Sequence, residues 1–378
     1  MVLILTFLIA LVFSIASENS VIAKNKEKYG VCSLFVLWLA SAFRYYNIDG
    51  FDYNIYEGWY ANVPKLFEIK SDTLVRFSYE AGYFYLMSFF KTLGVTFYGF
   101  CVITSAFFYC CIWKGFKRYT VHYGLLTMFF AYKLLFYDTH ISMRQPITIA
   151  GFFLIIPYLE NRKWVKYFIG AFLLSRFHNG AYLLFPLYFI TYLNLNKFTF
   201  KWLYIIFTPT IILGFVGVDV VGPIGQFIQA NADSEFTASK AAKYFDSDST
   251  SSINIIYTLE FFLFSYFIYR RFDVIFKHGK NKEFILKIFV CLLPLFTLFR
   301  MSEIMTREKD YFILSYAILL GYVIDSLNSK GLRKSMIFFI FSLCIYGYFR
   351  LLFGFNGDML YREYRLWPFV DGCSFFDF

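Results

Sequence analysis

Residues 165–193 read VKYFIGAFLLSRFHNGAYLLFPLYFITYL. About 20 apolar residues cross the hydrocarbon core of a bilayer, so this run is too long for one ordinary spanning helix. It also carries Arg176, His178, Asn179 and Gly180 near its middle, where ionisable groups are costly at membrane depth. Two short helices meeting at Asn179-Gly180 resolve both problems. Glycine relieves the backbone at the turn, and irregular backbone is tolerated where it is buried or lines a cavity. The expected element is therefore a helical hairpin with its turn around His178.

The flanking charges require the same hairpin. Basic residues cluster at Lys24/Lys26/Lys28, Lys114/Lys117/Arg118, Arg162/Lys163/Lys166, Lys197/Lys201, Arg270/Arg271/Lys277/Lys280/Lys282 and Lys330/Arg333/Lys334. Cytoplasmic loops of membrane proteins carry an excess of Lys and Arg. All six clusters share one side only if 165–193 goes up and comes back. The other apolar runs read as spans at 2–16, 29–43, 95–112, 121–137, 146–160, 202–219, 253–269, 284–299, 310–326 and 335–353. Residues 79–94 carry Glu80 and Lys91; the same rule makes them a re-entrant or interfacial helix, since a full span would put one basic loop on the wrong side. The expectation is an all-α, polytopic, multi-pass integral membrane protein of about 11–13 transmembrane helices.

Bulk composition agrees. Of 378 residues, 59% are hydrophobic and 16% charged, against roughly 45–50% and 25% in soluble domains. Apolar runs recur along the whole chain, so residues 1–378 read as one transmembrane domain. The net charge of +10 reads as topology signal, not nucleic-acid binding. Seven cysteines form no disulfide framework and no Cys/His metal spacing. Met1 to Ala16 resembles a signal-peptide core but lacks the basic n-region, so it reads as a retained first span with its N-terminus outside.

The opposite side then receives 44–78, 138–145, the 176–180 turn, an extracytoplasmic loop 220–252, 300–309 and an extracytoplasmic C-terminal tail 354–378. It collects Arg44, Arg144, Arg176, Arg300, Arg307, Arg350, Arg362 and Arg365, contrary to the usual bias. Arg is suited to bidentate recognition of phosphate oxygens, so an anionic ligand reached from outside is expected; snorkelling, or pairing with nearby Asp and Glu, is the plainer alternative. In Ser142-Met143-Arg144-Gln145-Pro146, Pro146 fits a first helical turn. Free backbone N–H groups would there lie beside the guanidinium as an anion site. His178, one of four histidines, could take a proton from a sugar hydroxyl or simply bond within the helix packing. Arg300 and Arg307 would share a face of a continuing helix, with Glu303 as a partner for either. The carboxylates of Asp49, Asp52 and Glu80 could coordinate a cation or hold sugar hydroxyls; a turn at Asp49-Gly50 is the simple alternative. A metal site is not supported, because neither a DxD pattern nor a nearby His accompanies the carboxylates.

Arg144-Gln145 opening an apolar helix, a basic turn and then Phe177-His178 together resemble the EpsG family of Wzy-type bacterial polysaccharide polymerases. Gly50-x-Asp52-x-x-x-Tyr56, Glu80-x-Gly82-Tyr83 and the tail Tyr361-Arg362-Glu363-Tyr364-Arg365 extend the resemblance over roughly residues 40–370, with Pro146 as a departure. The resemblance implies a GT-C-like membrane glycosyltransferase in the cytoplasmic (inner) membrane. Such an enzyme joins undecaprenyl-pyrophosphate-linked oligosaccharides at the outer leaflet into O-antigen, a lipopolysaccharide component, or into capsular or exopolysaccharide. His178, Arg144 and Arg176 would be catalytic, and Arg300, Arg307, Asp52, Tyr56 and Glu80 would bind substrate. The expected partners are the lipid-linked oligosaccharides, membrane lipid, a chain-length regulator and a flippase, with no cofactor. An O-antigen ligase or another lipid-linked glycosyltransferase would use the same chemistry on a different acceptor. A lipid-oligosaccharide flippase would instead line a through-path with charges at mid-membrane depth, whereas the polar clusters here gather on one side.

Overall fold

The computed structural model describes residues 1–45, 52–70, 80–216, 254–276, 280–300, 303–354 and 362–377, with single positions at 218, 223, 226 and 230. The Asp49-Gly50 turn and almost all of the loop 220–252 lie outside the described residues. The contacts group into two compact units, 1–188 with 328–378, and 189–327.

In the first unit, α1 (Val2–Asn19) and α2 (Ala23–Ala42) form an antiparallel hairpin. Ser33 Oγ lies 2.8 Å from Ser14 Oγ and donates to the Ala10 carbonyl at 2.7 Å, while Ser17 donates to the Lys26 carbonyl. Leu3, Phe7 and Ala10 are buried, so α1 is part of the core. At its end Glu18 accepts from the Leu125 N–H at 3.1 Å and lies 2.7 Å from His122 Nδ1. It thereby supplies from outside the cap that the start of the helix Tyr123–Lys133 needs.

The peripheral α3 (Asp52–Asn62) and α4 (Ala81–Thr92) precede the bundle helix α5 (Phe97–Phe116). After α5 comes α6 (Tyr123–Lys133), which gives way to a π-helix at Leu135–Ile141. Then come α7 (Arg144–Glu160) and α8 (Trp164–Ser175). These two pack so closely that a Cβ on Gly151 would lie 2.1 Å from Leu174. Beyond Ser175 the chain turns and runs back through a 3-10 turn (Asn179–Leu183) and one short helix (Leu184–Leu187). Tyr167 Oη donates to the Leu184 carbonyl at 2.7 Å, and Tyr188 Oη to the Arg162 carbonyl at 3.2 Å. The hairpin around His178 is thus present, its return arm built of short pieces.

The alternation of helices sorts the first unit's loops into two ends. One end holds Lys24/Lys26/Lys28, Lys114/Lys117/Arg118, Arg162/Lys163/Lys166 and the start of Lys330–Gly354. The other, here called the Glu80 end, holds the end of α2, the start of α5, the π-helix, the start of α7 and the 176–180 turn. Helix α4 does not cross between them. Its 12 residues reach about 18 Å, against about 30 Å of hydrocarbon. Both its ends meet the Glu80 end: Gly82 N–H donates to the Arg176 carbonyl at 2.8 Å, and the Asp377 N–H donates to the Gly94 carbonyl at 2.9 Å. Lys91 Nζ donates to the carbonyls of Tyr60, Ala61 and Val63 at 3.2, 2.7 and 2.7 Å. It fastens α4 to the C-terminus of α3, where a cation also complements the helix dipole.

The C-terminal residues strap this end. Arg44 and Tyr45 pair antiparallel with Leu366 and Arg365, the Trp367 N–H donates to the Phe43 carbonyl at 2.9 Å, and the Thr96 N–H donates to the Phe375 carbonyl at 3.0 Å.

The second unit packs Lys197–Phe207, Ile255–Ile275, Lys280–Val290, Leu292–Phe296 and Ser315–Asp325. Its core is aromatic: Phe261 stacks on Phe296 and Phe289 at 4.8 and 5.4 Å, and Tyr316 meets Phe289 edge-on at 5.2 Å.

Among the described residues, three helices are long and apolar enough to cross a membrane: Val2–Asn19, Phe97–Phe116 and Lys330–Gly354. This is fewer than the sequence leads one to expect. Several apolar runs are broken into pieces, and proline or a change of helix type marks the breaks. Pro209 lies in a 3-10 turn between Lys197–Phe207 and Ile211–Phe215, Pro294 lies in Leu292–Phe296, and run 121–137 passes into the π-helix.

Candidate functional site

Four side chains from four segments converge at the Glu80 end. Tyr56 comes from the middle of α3, and Glu80 sits immediately before α4. Arg144 is the first residue of α7, and His178 lies just beyond the end of α8. Arg144 Nη1 forms an ion pair with Glu80 Oε2, and Glu80 Oε1 lies 3.3 Å from His178 Nδ1. Arg144 Nε donates to Tyr56 Oη at 3.1 Å. The guanidinium also lies over the rings of Tyr56 and Trp59, 5.6 and 5.1 Å from their centroids. Such placement suits a planar cation. The Arg144 and His178 side chains retain 20% and 23% exposure while Glu80 keeps 9%, so a solute can reach the cation and the imidazole across a mostly buried carboxylate.

The anion expected beside Arg144 is here a carboxylate of the chain itself. Pro146 lies in the first turn of α7, as its missing N–H and fixed φ favour.

Arg176 stands at the turn just before His178. Its carbonyl accepts the Gly82 N–H, while its exposed guanidinium lies 4.4 Å over the Phe172 ring. A Cβ on Gly82 would lie 2.9 Å from Arg176 O and 3.1 Å from Arg176 Cβ. The turn that carries His178 therefore docks on the start of α4, two residues after Glu80. A Gly82→Ala variant is expected to push these segments apart. It should cost about 1–3 kcal/mol of stability, read by thermal unfolding. An unchanged unfolding temperature would show that this close approach does not set the packing of the site.

Asp52 opens α3 with its side chain exposed, where an acid complements the helix dipole; Tyr56 follows one turn later. Arg300 and Arg307 belong to the second unit. The helix Leu292–Phe296 ends before Arg300, which is buried, whereas Arg307 is exposed beside buried Glu308. The expectation of one continuing helix through both arginines falls on residues 301–302, which lie outside the described residues; Arg307 rides on the helix Glu303–Glu308. Burial and the nearby Asp310 push the Glu308 carboxyl up to about 8.

Sequence reasoning passed over a second cluster in the first unit. Arg44, Asp138, Thr139 and His140 are all buried at the Glu80 end. Arg44 Nη1 donates to the Ser41 carbonyl at 2.6 Å, and a small cavity between Arg44, Ser105, Asp138 and Ser142 leads toward the start of α7. Burial, with Arg44 nearby, pushes the His140 imidazole down to about 3, so it is neutral at physiological pH. Three of these residues ride on the π-helix, an element that favours functional sites. The signal was Asp138 and His140 standing just ahead of Arg144. Trp59 was also missed; its spacing of seven from Asp52 marked it.

Among the described residues, no group of three or more His, Cys, Asp or Glu side chains is placed to hold a metal ion. No curated protein and no solved structure matches the chain. A family model does match, over residues 27–369, a range that holds all four converging residues, the π-helix and the start of the C-terminal strap. This membrane protein therefore belongs to the EpsG family, a family of Wzy-type polysaccharide polymerases.

Proposed function

We propose that the chain polymerises undecaprenyl-pyrophosphate-linked oligosaccharide repeat units at the outer face of the cytoplasmic membrane. The observation that carries this reading is the Arg144–Glu80–His178 arrangement, with Tyr56 on the arginine, at the end of the bundle opposite the lysine loops. The positive-inside rule puts those loops in the cytoplasm and the cluster outside.

The reaction forms a glycosidic bond and breaks the bond between the anomeric carbon of the growing chain and its pyrophosphate. Charge develops on the leaving pyrophosphate, and preorganised donors are the main means of stabilising it. Arg144 is the central donor, with Arg176 at the adjoining turn as a further candidate. Glu80 pairs with Arg144. An arriving pyrophosphate competes for the guanidinium and leaves Glu80 on His178. A carboxylate at Nδ1 fixes the imidazole tautomer, so Nε2 becomes the base for the acceptor hydroxyl of the incoming unit. The proton passes to His178, and polyprenyl pyrophosphate departs. Arginine supplies the electrostatics, so the scheme uses no metal ion. Asp52 and Tyr56 contact sugar.

The test is genetic. Deleting the gene is expected to reduce the surface-polysaccharide ladder to single repeat units, with wild type restoring it. His178→Ala should give normal protein levels and no long chains. Normal polymer from that variant would remove His178 from the mechanism, and an unchanged ladder in the deletion would refute polymerisation of that polysaccharide.

A further inference from the structure

Resting on the polymerase reading, we infer that Trp59 is the aromatic platform of a sugar subsite beside Arg144, and that it determines how the saccharide next to the pyrophosphate is held. Asp52, Tyr56 and Trp59 stand at i, i+4 and i+7 of α3, so they form one ridge along the helix. Tyr56 is buried and meets the Trp59 ring edge-on at 5.3 Å and the Tyr83 ring at 6.0 Å. That packing leaves Trp59 few orientations. Trp59 itself is half-buried and Asp52 exposed, so the ridge offers a polar end and an aromatic end to solvent. Along the axis they are about 10 Å apart, the reach of two linked pyranose rings.

The chemistry of the ridge matches a sugar better than it matches the other parts of a lipid-linked substrate. A pyranose has a polar edge of hydroxyls and an apolar face of C–H groups. A carboxylate accepts from hydroxyls, and a large, nearly fixed aromatic ring covers the apolar face at little cost in side-chain freedom. A polyprenyl tail would have no use for Asp52, and a pyrophosphate would be repelled by it. Arg144 lies 5.1 Å from the Trp59 ring centroid, so a saccharide lying along the ridge would have its pyrophosphate-bearing end at the guanidinium. Lys91, clamped on the last carbonyls of α3, holds the ridge against the segment that carries Glu80.

Trp59 also supports Arg144 directly, so the experiment must separate a sugar contact from help to the arginine. Full-length protein in lipid nanodiscs would be titrated calorimetrically with two probes. One is the oligosaccharide released by mild acid from the lipid-linked repeat unit that accumulates in the deletion strain. The other is inorganic pyrophosphate. Trp59→Ala is expected to weaken oligosaccharide binding about tenfold or more and to change pyrophosphate binding by less than about twofold. Trp59→Phe, which keeps an aromatic face, should stay within about threefold of wild type for both probes. Equal oligosaccharide binding by wild type and Trp59→Ala would overturn the platform and leave the polymerase reading intact. Parallel loss of both probes would also overturn it, making Trp59 a support for Arg144 alone. A wild-type protein that binds neither probe would refute the polymerase reading together with the inference.

Discussion

Cells carrying Arg144→Ala in place of wild type are expected to accumulate single repeat units and to lose the polysaccharide ladder. The change removes the donor that faces the leaving pyrophosphate, and loss of one such donor typically lowers turnover by roughly 10²–10³-fold. It also leaves Glu80, which keeps 9% exposure, without its cation, and breaking a pair of this kind is costly because the remaining charge is poorly solvated. Two companion variants divide these effects. Arg144→Lys keeps the charge but cannot reproduce both the Nε–H donation to Tyr56 and the planar contact with Trp59, so it should recover activity only in part. Glu80→Gln keeps the shape and removes the carboxylate, which should relax the hold on Arg144 and loosen the orientation of His178. Because Glu80 touches both residues, the double variant Glu80→Gln with Arg144→Ala should be less impaired than the sum of the single effects, as expected for groups acting as one unit. A full ladder from Arg144→Ala would sink the proposed role of this cluster.

What could be read in the sequence follows from what each signal measures. The hairpin at 165–193 was legible because its length, its polar centre and the basic loops on both sides impose the same constraint. Helix α4 was recognisable as non-spanning because a further crossing there would put one basic loop on the wrong side, and the structure brings both of its ends to one end of the bundle. The start of α7 was marked by Pro146. The π-helix was not legible, since an insertion of one residue per turn leaves no periodicity to detect in an apolar stretch. For that reason Asp138 and His140 read as the edge of a loop when they are buried beside Arg44. The breaks at Pro209 and Pro294 were underweighted because hydropathy averages over them. The partner of Arg144 was open for a different reason: sequence spacing places an arginine at a helix start but cannot choose between a phosphate and a carboxylate from a distant segment.

The C-terminal strap is expected to be as necessary as the cluster. Residues 362–377 close a two-stranded ladder with Arg44 and Tyr45 and bridge to the start of α5 through Thr96 and Gly94. Tyr364 Oη donates to the Ala40 carbonyl, and the Trp367 indole donates to the Ala42 carbonyl at 3.4 Å. Both rings are buried, at 6% and 7% exposure. The strap therefore holds the end of α2, where Arg44 sits, against the start of α5 and, through Gly94, against α4. Trp367→Ala should destabilise the first unit by about 3–5 kcal/mol, the usual cost of emptying a buried indole site. Truncation after residue 361 should cost more, because it also exposes the edge of residues 44–45 and the carbonyls that bind the tail. In detergent, thermal unfolding should fall for both variants, and neither should restore the ladder at growth temperature. The polar alternative is informative: Arg365→Ala keeps the backbone pairing and both rings, so it should fold normally and retain most activity. If the truncated protein unfolds at the wild-type temperature and still polymerises, the tail is not part of the site's framework. Its contacts with residues 42–45 and 94–99 would then be incidental to the arrangement of Arg144, Glu80 and His178.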